Sequence, residues 1–134
     1  MKWVFDLNLM GTILPTQVFG KVLSQQKSGT VINISSMAAF IPLTNTIAYS
    51  AAKAAITNFT QWMSVYFCLE NSPSIRVNAI APGFLLTQQN KYLLEDESGN
   101  ATKRGQRIID QTPMRRYGDP DELVGAVIFL SLIH

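Results

Sequence analysis

Residues 30–35 read TVINIS and follow Gly29 directly. A short apolar run with β-branched residues after a glycine is typical of a buried strand. Residues 75–80 read IRVNAI and predict a second strand, which the Pro82-Gly83 pair terminates. A long helical segment separates the two strands, and helices alternating with buried strands indicate an α/β fold with a parallel sheet.

Helical segments flank both predicted strands. Apolar spacing predicts a helix over 3–27, with Pro15 as the candidate for a kink, and a second helix over 45–70. Residues 84–112 are polar and irregular, with one or two short helices expected. Proline and acidic residues at 119–122 open a last helix. The apolar residues of the second helix form a broad stripe, at Ile47, Ala51, Ala54, Ala55, Phe59, Trp62 and Met63.

Composition limits the class of protein. The chain has 134 residues, enough for one domain, and is 47% hydrophobic and 15% charged. A net charge of +2 from scattered basic residues gives no reason to expect nucleic acid. Cys68 is the only cysteine and His134 the only histidine, so neither a disulfide nor a metal site is expected. We expect a cytoplasmic protein, because the start does not resemble a signal peptide and the apolar run at 123–133 is too short to cross a membrane.

Residues 48–55, AYSAAKAA, place Tyr49 and Lys53 four apart in a helix and therefore on one face. A cation beside a phenol stabilises the phenolate, which suits tyrosine to general acid–base chemistry near neutral pH. The spacing alone fits equally a surface helix in which a lysine lies near a tyrosine. Ser36 ends the preceding strand, and Pro82 ends the next one at the same edge of the sheet. Ligands bind at this edge in α/β sheets.

Five stretches together resemble the short-chain dehydrogenase/reductase family. They are DLNLMGT (6–12), NISSMAA (33–39), YSAAK (49–53), RVNAIAPGFLLT (76–87) and PMRRYGDPDEL (113–123). Within that family, residues 4–21, 48–62 and 78–90 resemble members that interconvert D-mannonate and D-fructuronate. The resemblance implies an oxidoreductase that transfers hydride between NAD or NADP and a small hydroxyl or keto substrate.

The resemblance also assigns roles to four side chains. The tyrosine that matches Tyr49 transfers the proton at the reacting oxygen, and the lysine that matches Lys53 stabilises the phenolate and binds the nicotinamide ribose; both therefore contact the cofactor. The serine that matches Ser36, selected over Ser35 by its spacing to Tyr49, hydrogen-bonds the substrate oxygen. The asparagine that matches Asn8 holds a water in a proton relay. Alternatively, Ser36 is a capping hydroxyl and Asn8 a polar residue that faces a helical turn.

Further cofactor contacts are implied after the second strand. By resemblance, Pro82 and Gly83 form the turn beneath the nicotinamide, the Leu85 backbone meets the carboxamide, and Thr87 contacts the carboxamide or a phosphate. An ordinary Pro-Gly turn is the alternative. Residues 84–112 then resemble a substrate loop, in which Gln88, Gln89, Asn90 and Arg116 are candidates to meet a polyhydroxy acid. A solvated loop, with Arg116 paired to Asp119 or Glu122, is the alternative.

The family begins with a glycine-rich, phosphate-binding turn that this sequence does not contain. We therefore interpret residues 1–134 as one partial Rossmann-type domain, the second half of a doubly wound parallel sheet without its last strand. Two strands leave open edges, so we expect that this chain alone neither binds NAD tightly nor turns over. The resemblance implies a homo-oligomer formed through helices 3–27 and 45–70. The alternative to an enzyme is an inactive α/β fragment that acts as a dimerisation module.

Overall fold

A computed structural model describes residues 1–43 and 45–132; His134, the sole histidine, lies outside the described residues. The chain divides into two compact units. The first comprises Met1–Pro82 with Ala126–His134, and the second comprises Gly83–Gly125. The interpretation of the whole chain as one partial domain stays a prediction.

The first unit opens with a nearly continuous helix. It consists of α1 (Lys2–Phe5), a π-helical turn (Asp6–Met10) and α2 (Gly11–Gln26). Lys27 ends it in the left-handed conformation, with φ of 61°. The helix predicted over 3–27 is therefore present. Pro15 lies inside α2, and the hydrogen-bond ladder widens in the π-helical turn that precedes α2.

Two strands and one long helix form the centre of this unit. Strand β1 (Gly29–Ile34) pairs in parallel with β2 (Ile75–Ile80), in register from Gly29 opposite Ile75 to Ile34 opposite Ile80. Helix α3 (Ile47–Glu70) connects them, as a parallel pair requires a crossover. The predicted α/β class is confirmed, because both strands and their parallel pairing lie where the sequence placed them.

The buried face of α3 differs from the predicted apolar stripe. Within that stripe, Ile47, Ala51, Ala54 and Trp62 are exposed, whereas Met63 is buried. The face that packs on the sheet carries polar side chains, and a search for apolar spacing therefore selected a neighbouring face. Its buried residues are Ala52, Lys53, Ile56, Thr60, Met63 and Phe67.

The core joins the second half of α3 to the strands. Met63 and Phe67 of α3 pack with Ile75 and Val77 of β2, and Leu23, Val31 and Phe59 flank this cluster. Among the described residues, no helix is both long enough and apolar enough to span a bilayer.

Arg76 of β2 connects the strands to the last helix. Its guanidinium donates to the carbonyls of Leu130 and Leu132 and to Thr30 Oγ1. Carbonyls in the last turn of a helix lack intrahelical donors, so a cation there stabilises the helix end. This last helix is α6 (Val124–Ser131).

The second unit carries short helices on an irregular backbone. Helices α4 (Lys91–Leu94) and α5 (Lys103–Gln111) confirm the short helices predicted in 84–112. A 3₁₀ turn (Pro120–Leu123) precedes α6, which lies where the last helix was predicted and belongs mostly to the first unit. Thr102 caps α5, since its hydroxyl accepts from Gly105 N at 3.1 Å.

Candidate active site

Tyr49 and Lys53 lie together on α3. The Lys53 ammonium is 5.6 Å from the centroid of the Tyr49 ring, within the range of a cation–π contact. Tyr49 is 37% exposed, whereas Lys53 is 9% exposed. The phenol can therefore meet a ligand from solvent while the amine beside it is largely shielded.

The strand β1 fixes the amine of Lys53. Lys53 Nζ donates to the main-chain oxygen of Ile34 at 2.8 Å. Burial lowers the pKa of the Lys53 amine from its usual value of 10.5. An ammonium has three N–H groups, so two remain to donate to a ligand's hydroxyls.

The two adjacent serines have different partners. Ser36 Oγ accepts from Ala38 N at 3.1 Å and so caps the 3₁₀ turn Met37–Ala39, which packs against α3. This bond uses the oxygen as acceptor and leaves the hydroxyl proton to donate to a substrate oxygen. Ser35 Oγ instead lies 2.6 Å from Thr57 Oγ1 and bonds Lys53 O at 3.2 Å. The capping alternative for Ser36 is therefore present, and it is compatible with a substrate contact.

Asn8 lies in the π-helical turn, which packs against α3. Its side-chain amide donates to Val4 O at 3.0 Å, and its main-chain oxygen accepts from Thr12 Oγ1 at 3.2 Å. Single π-turns inside α-helices occur frequently at functional sites. Both interpretations of Asn8, as a relay residue and as a polar residue on a helical turn, fit this geometry.

The carboxyl ends of both strands meet beside these residues. Ser35 N donates to Ile80 O at 2.8 Å, and Met37 N donates to Pro82 O at 3.0 Å. Pro82 therefore adjoins the segment that carries Ser36. The predicted convergence of the two strand ends is a feature of the described fold.

A groove of about 450 Å³ runs along β1 on the side of α2. Lys53 is one of its lining residues, which places the amine at an open part of this unit. The main contributors are Gly11, Thr12, Phe19 and Leu23 from the helical side and the strand residues 30–34.

In the second unit, Asn90 organises the segment that contains Leu85 and Thr87. Its amide donates to Leu85 O at 2.8 Å, and its oxygen accepts from Thr87 N at 2.9 Å. Leu85 lies opposite Gly118 in an isolated parallel bridge. The hydrogen bonds of this bridge use backbone groups of the residues on either side of Leu85, and not those of Leu85 itself. Within the described part of the chain, the Leu85 N–H has no acceptor, as a carboxamide contact would require. Gly83 begins this unit, directly after Pro82 in the sequence.

Arg116 forms a bidentate ion pair with Glu122, at 2.6 and 2.8 Å. The hydrogen bond from Arg116, followed by that from Asp119 N, lowers the pKa of Glu122 to about 2. These contacts favour the structural role of Arg116 over a role in binding a polyhydroxy acid. Asn90 is likewise occupied by its own loop.

Four polar residues between β1 and α3 were not identified from the sequence. They join β1 and α3 by side-chain hydrogen bonds. A sequence signal could have found them. The strand carries a hydroxyl or amide side chain at alternate positions, and the helix carries two hydroxyl side chains three residues apart. These residues are Asn33, Ser35, Thr57 and Thr60.

A parallel strand pair joined by a crossover helix is the arrangement of Rossmann-type α/β proteins, and here that helix carries the Tyr-Lys pair. The model of the short chain dehydrogenase family matches residues 1–98. The chain belongs to this family.

Known proteins extend this assignment. An uncharacterized oxidoreductase of Haemophilus influenzae is 53% identical over 130 residues, which cover 97% of this chain but 45% of that protein. A solved structure of a candidate D-mannonate oxidoreductase from the same species, with bound NAD, matches with a TM-score of 0.87 at 53% identity, covering 97% of this chain and 45% of that one. A candidate NAD(P)-dependent gluconate 5-dehydrogenase of Beutenbergia cavernae, with NADP at low occupancy, matches with a TM-score of 0.82 at 28% identity, covering 95% and 48%.

Proposed function

We propose that this chain supplies the proton-transfer side of an NAD(P)-dependent oxidoreductase that interconverts a hydroxyl and a keto group. The observation that carries the proposal is the placement of Lys53. Its amine is held 2.8 Å from Ile34 O and 5.6 Å from the Tyr49 ring, on a largely buried helix face. Motifs matching the short chain dehydrogenases surround this pair.

The side chains divide the work of reduction among them. Tyr49 donates its hydroxyl proton to the substrate oxygen as negative charge develops there, and Lys53 stabilises the phenolate that remains. Ser36 donates a hydrogen bond to the same oxygen. A nicotinamide, when bound, supplies the hydride, or accepts it in the reverse direction. Asn8 would hold a water molecule that relays a proton near Lys53.

The donor groups of the chain fit such a cofactor. The two N–H groups that Ile34 leaves free on Lys53 suit ribose hydroxyls, and the Leu85 N–H suits the carboxamide oxygen. Pro82, Gly83 and Thr87 complete the proposed cofactor contacts. Either NAD or NADP fits, since related structures contain one or the other.

The proposed substrate is a small sugar acid, D-mannonate or D-fructuronate. Two matching structures bear names that refer to acids of this type, D-mannonate and gluconate. We place this reaction in the cytoplasm, in line with a single, unpaired and exposed cysteine.

Substitution of Tyr49 tests the proposal. With D-fructuronate and NADH or NADPH, Tyr49→Phe is expected to reduce kcat by about 10²-fold or more, because general acid catalysis contributes on that scale. Tyr66→Phe removes a hydroxyl from the same helix and is expected to retain the wild-type rate. A Tyr49→Phe rate equal to that of wild type would reject the role of Tyr49.

Self-association is the second proposed property, and it is also the function that remains if the chain binds no nicotinamide. A groove of about 810 Å³ lies between α2 and α3. Exposed aromatic side chains line it, among them Trp62 and Tyr66. Exposed patches of this kind mark interfaces between proteins. We propose a homo-oligomer formed through helices 3–27 and 45–70, which bury this groove.

A further inference from the structure

Strand β1 presents polar side chains, rather than apolar ones, to α3 near the Tyr-Lys pair. Asn33 and Ser35 alternate on this face and are 5% and 2% exposed. Asn33 Nδ2 donates to Thr60 Oγ1 at 2.8 Å, and Ser35 Oγ lies 2.6 Å from Thr57 Oγ1. Two hydrogen bonds therefore join the strand and the helix at two levels.

Both threonines are also bonded to their own helix. Thr60 Oγ1 donates to Ile56 O at 2.8 Å, and Thr57 Oγ1 lies 3.1 Å from Lys53 O. Ser35 Oγ reaches the same Lys53 carbonyl at 3.2 Å. The strand is thus bonded to the peptide group of the very residue whose side chain returns to Ile34 O.

Apolar packing alone would define the position of α3 less sharply. Burial of apolar surface has no preferred direction, whereas a hydrogen bond weakens steeply when its angle or length changes. A shift of α3 by one residue moves it about 1.5 Å along its axis. Such a shift would break both cross-links and also separate Lys53 Nζ from Ile34 O.

We propose that Ser35 and Thr57, supported by the Asn33–Thr60 pair, are positioning residues that set the register of α3 on β1 and so place Lys53 and Tyr49 for proton transfer. This inference rests on the proposed function. None of these four side chains has to touch substrate or cofactor.

A titration of Lys53 tests the placement without turnover. In the full chain, the ¹³Cε resonance of Lys53 is followed by NMR against pH. The wild-type amine is expected to titrate below 10.5, in keeping with its burial, and Thr57→Val and Ser35→Ala are expected to move the midpoint upward. Thr57→Ser, which keeps the hydroxyl, is expected to restore the wild-type midpoint.

Thr16→Val is the matched control. Thr16 is a buried threonine whose hydroxyl donates to its own helix, at Thr12 O, 2.7 Å away. Its loss is expected to leave the Lys53 midpoint unchanged. In turnover, Thr57→Val is expected to lower kcat by up to about 10²-fold with KM nearly constant, as small misplacements of catalytic groups do.

Two results would overturn the inference. One is an unchanged Lys53 midpoint in both Thr57→Val and Ser35→Ala. The other is loss of the folded circular dichroism spectrum in both variants, because the hydroxyl pair would then hold the chain together rather than place one residue. A wild-type chain that titrates as expected but never turns over would reject the proposed function and leave the positioning role supported.

Discussion

At the scale of single residues, Lys53 shows how burial and function conflict. A lysine on the sheet-facing side of a helix loses water that would solvate its charge. The carbonyl of Ile34 replaces part of that water, and the pKa of the amine is lowered because the replacement is incomplete. The chain thus accepts a cost in stability in order to keep a cation beside Tyr49.

Because the pKa of Lys53 is lowered in the folded state, the free energy of unfolding depends on pH. Because the folded state lowers the pKa of Lys53, the unfolded chain binds more protons between that lowered pKa and 10.5, and stability rises with pH there. The slope from one group cannot exceed about 1.4 kcal/mol per pH unit. Relative to Lys53→Met, the wild-type chain should therefore gain stability as the pH rises, as measured by urea unfolding.

Lys21→Met, at an exposed lysine of α2, is the control for the general effect of removing one positive charge. The predicted linkage would be contradicted if the difference in unfolding free energy between wild type and Lys53→Met does not change with pH up to about pH 10.5.

At the scale of elements, the Phe67 ring of α3 reaches α2 at Gly20. A Cβ atom at this position would lie 3.0 Å from Phe67 Cζ, in the buried core cluster. Glycine thus allows the ring of Phe67 to pack between α2 and the strands. The absence of a side chain at Gly20 is part of the packing that orients α3.

Gly20→Val is expected to destabilise the fold by about 1–3 kcal/mol, since extra methyl groups in a packed core force side chains to move. The matched control is Gly125→Val in α6, where a Cβ would meet nothing within 4 Å. That variant should stay within about 0.5 kcal/mol of wild type. Thermal unfolding of both variants measures the difference, and equal midpoints would argue against a close contact at Gly20.

At the scale of the whole molecule, the first unit leaves much apolar surface open. Its sheet contains two strands in the described residues, and Ile34 of β1 and Trp62 of α3 are 50% and 61% exposed. The chain covers 45% of the length of its Haemophilus influenzae relative. Exposed apolar surface of this kind marks a site where another protein surface binds.

Trp62→Glu is expected to shift the chain from an oligomer to a monomer in light scattering, because a carboxylate in an apolar interface loses its hydration. Met114→Glu, at an exposed apolar residue of the second unit, is the control and should leave the mass unchanged. A monomeric wild-type chain, or a Trp62→Glu chain of unchanged mass, would refute association through α2 and α3.

The amino-acid sequence by itself determined the helices and strands of this protein and the shared helix face of Tyr49 and Lys53. Both strands, the crossover helix and the short helices of the second unit lie near their predicted positions, because apolar spacing, prolines and glycines act locally. The Tyr49-Lys53 pair was predictable for the same reason, since a spacing of four within one helix fixes a shared face.

Only the tertiary structure decided which face of α3 is buried and which polar groups meet there. Helix periodicity defines faces but not the partner each face meets, and here the sheet selects a face that includes Lys53 and Thr60. The bond between Ser35 and Thr57 joins residues 22 apart in sequence. Such a contact depends on how α3 packs on β1, a packing that no local pattern in either segment specifies.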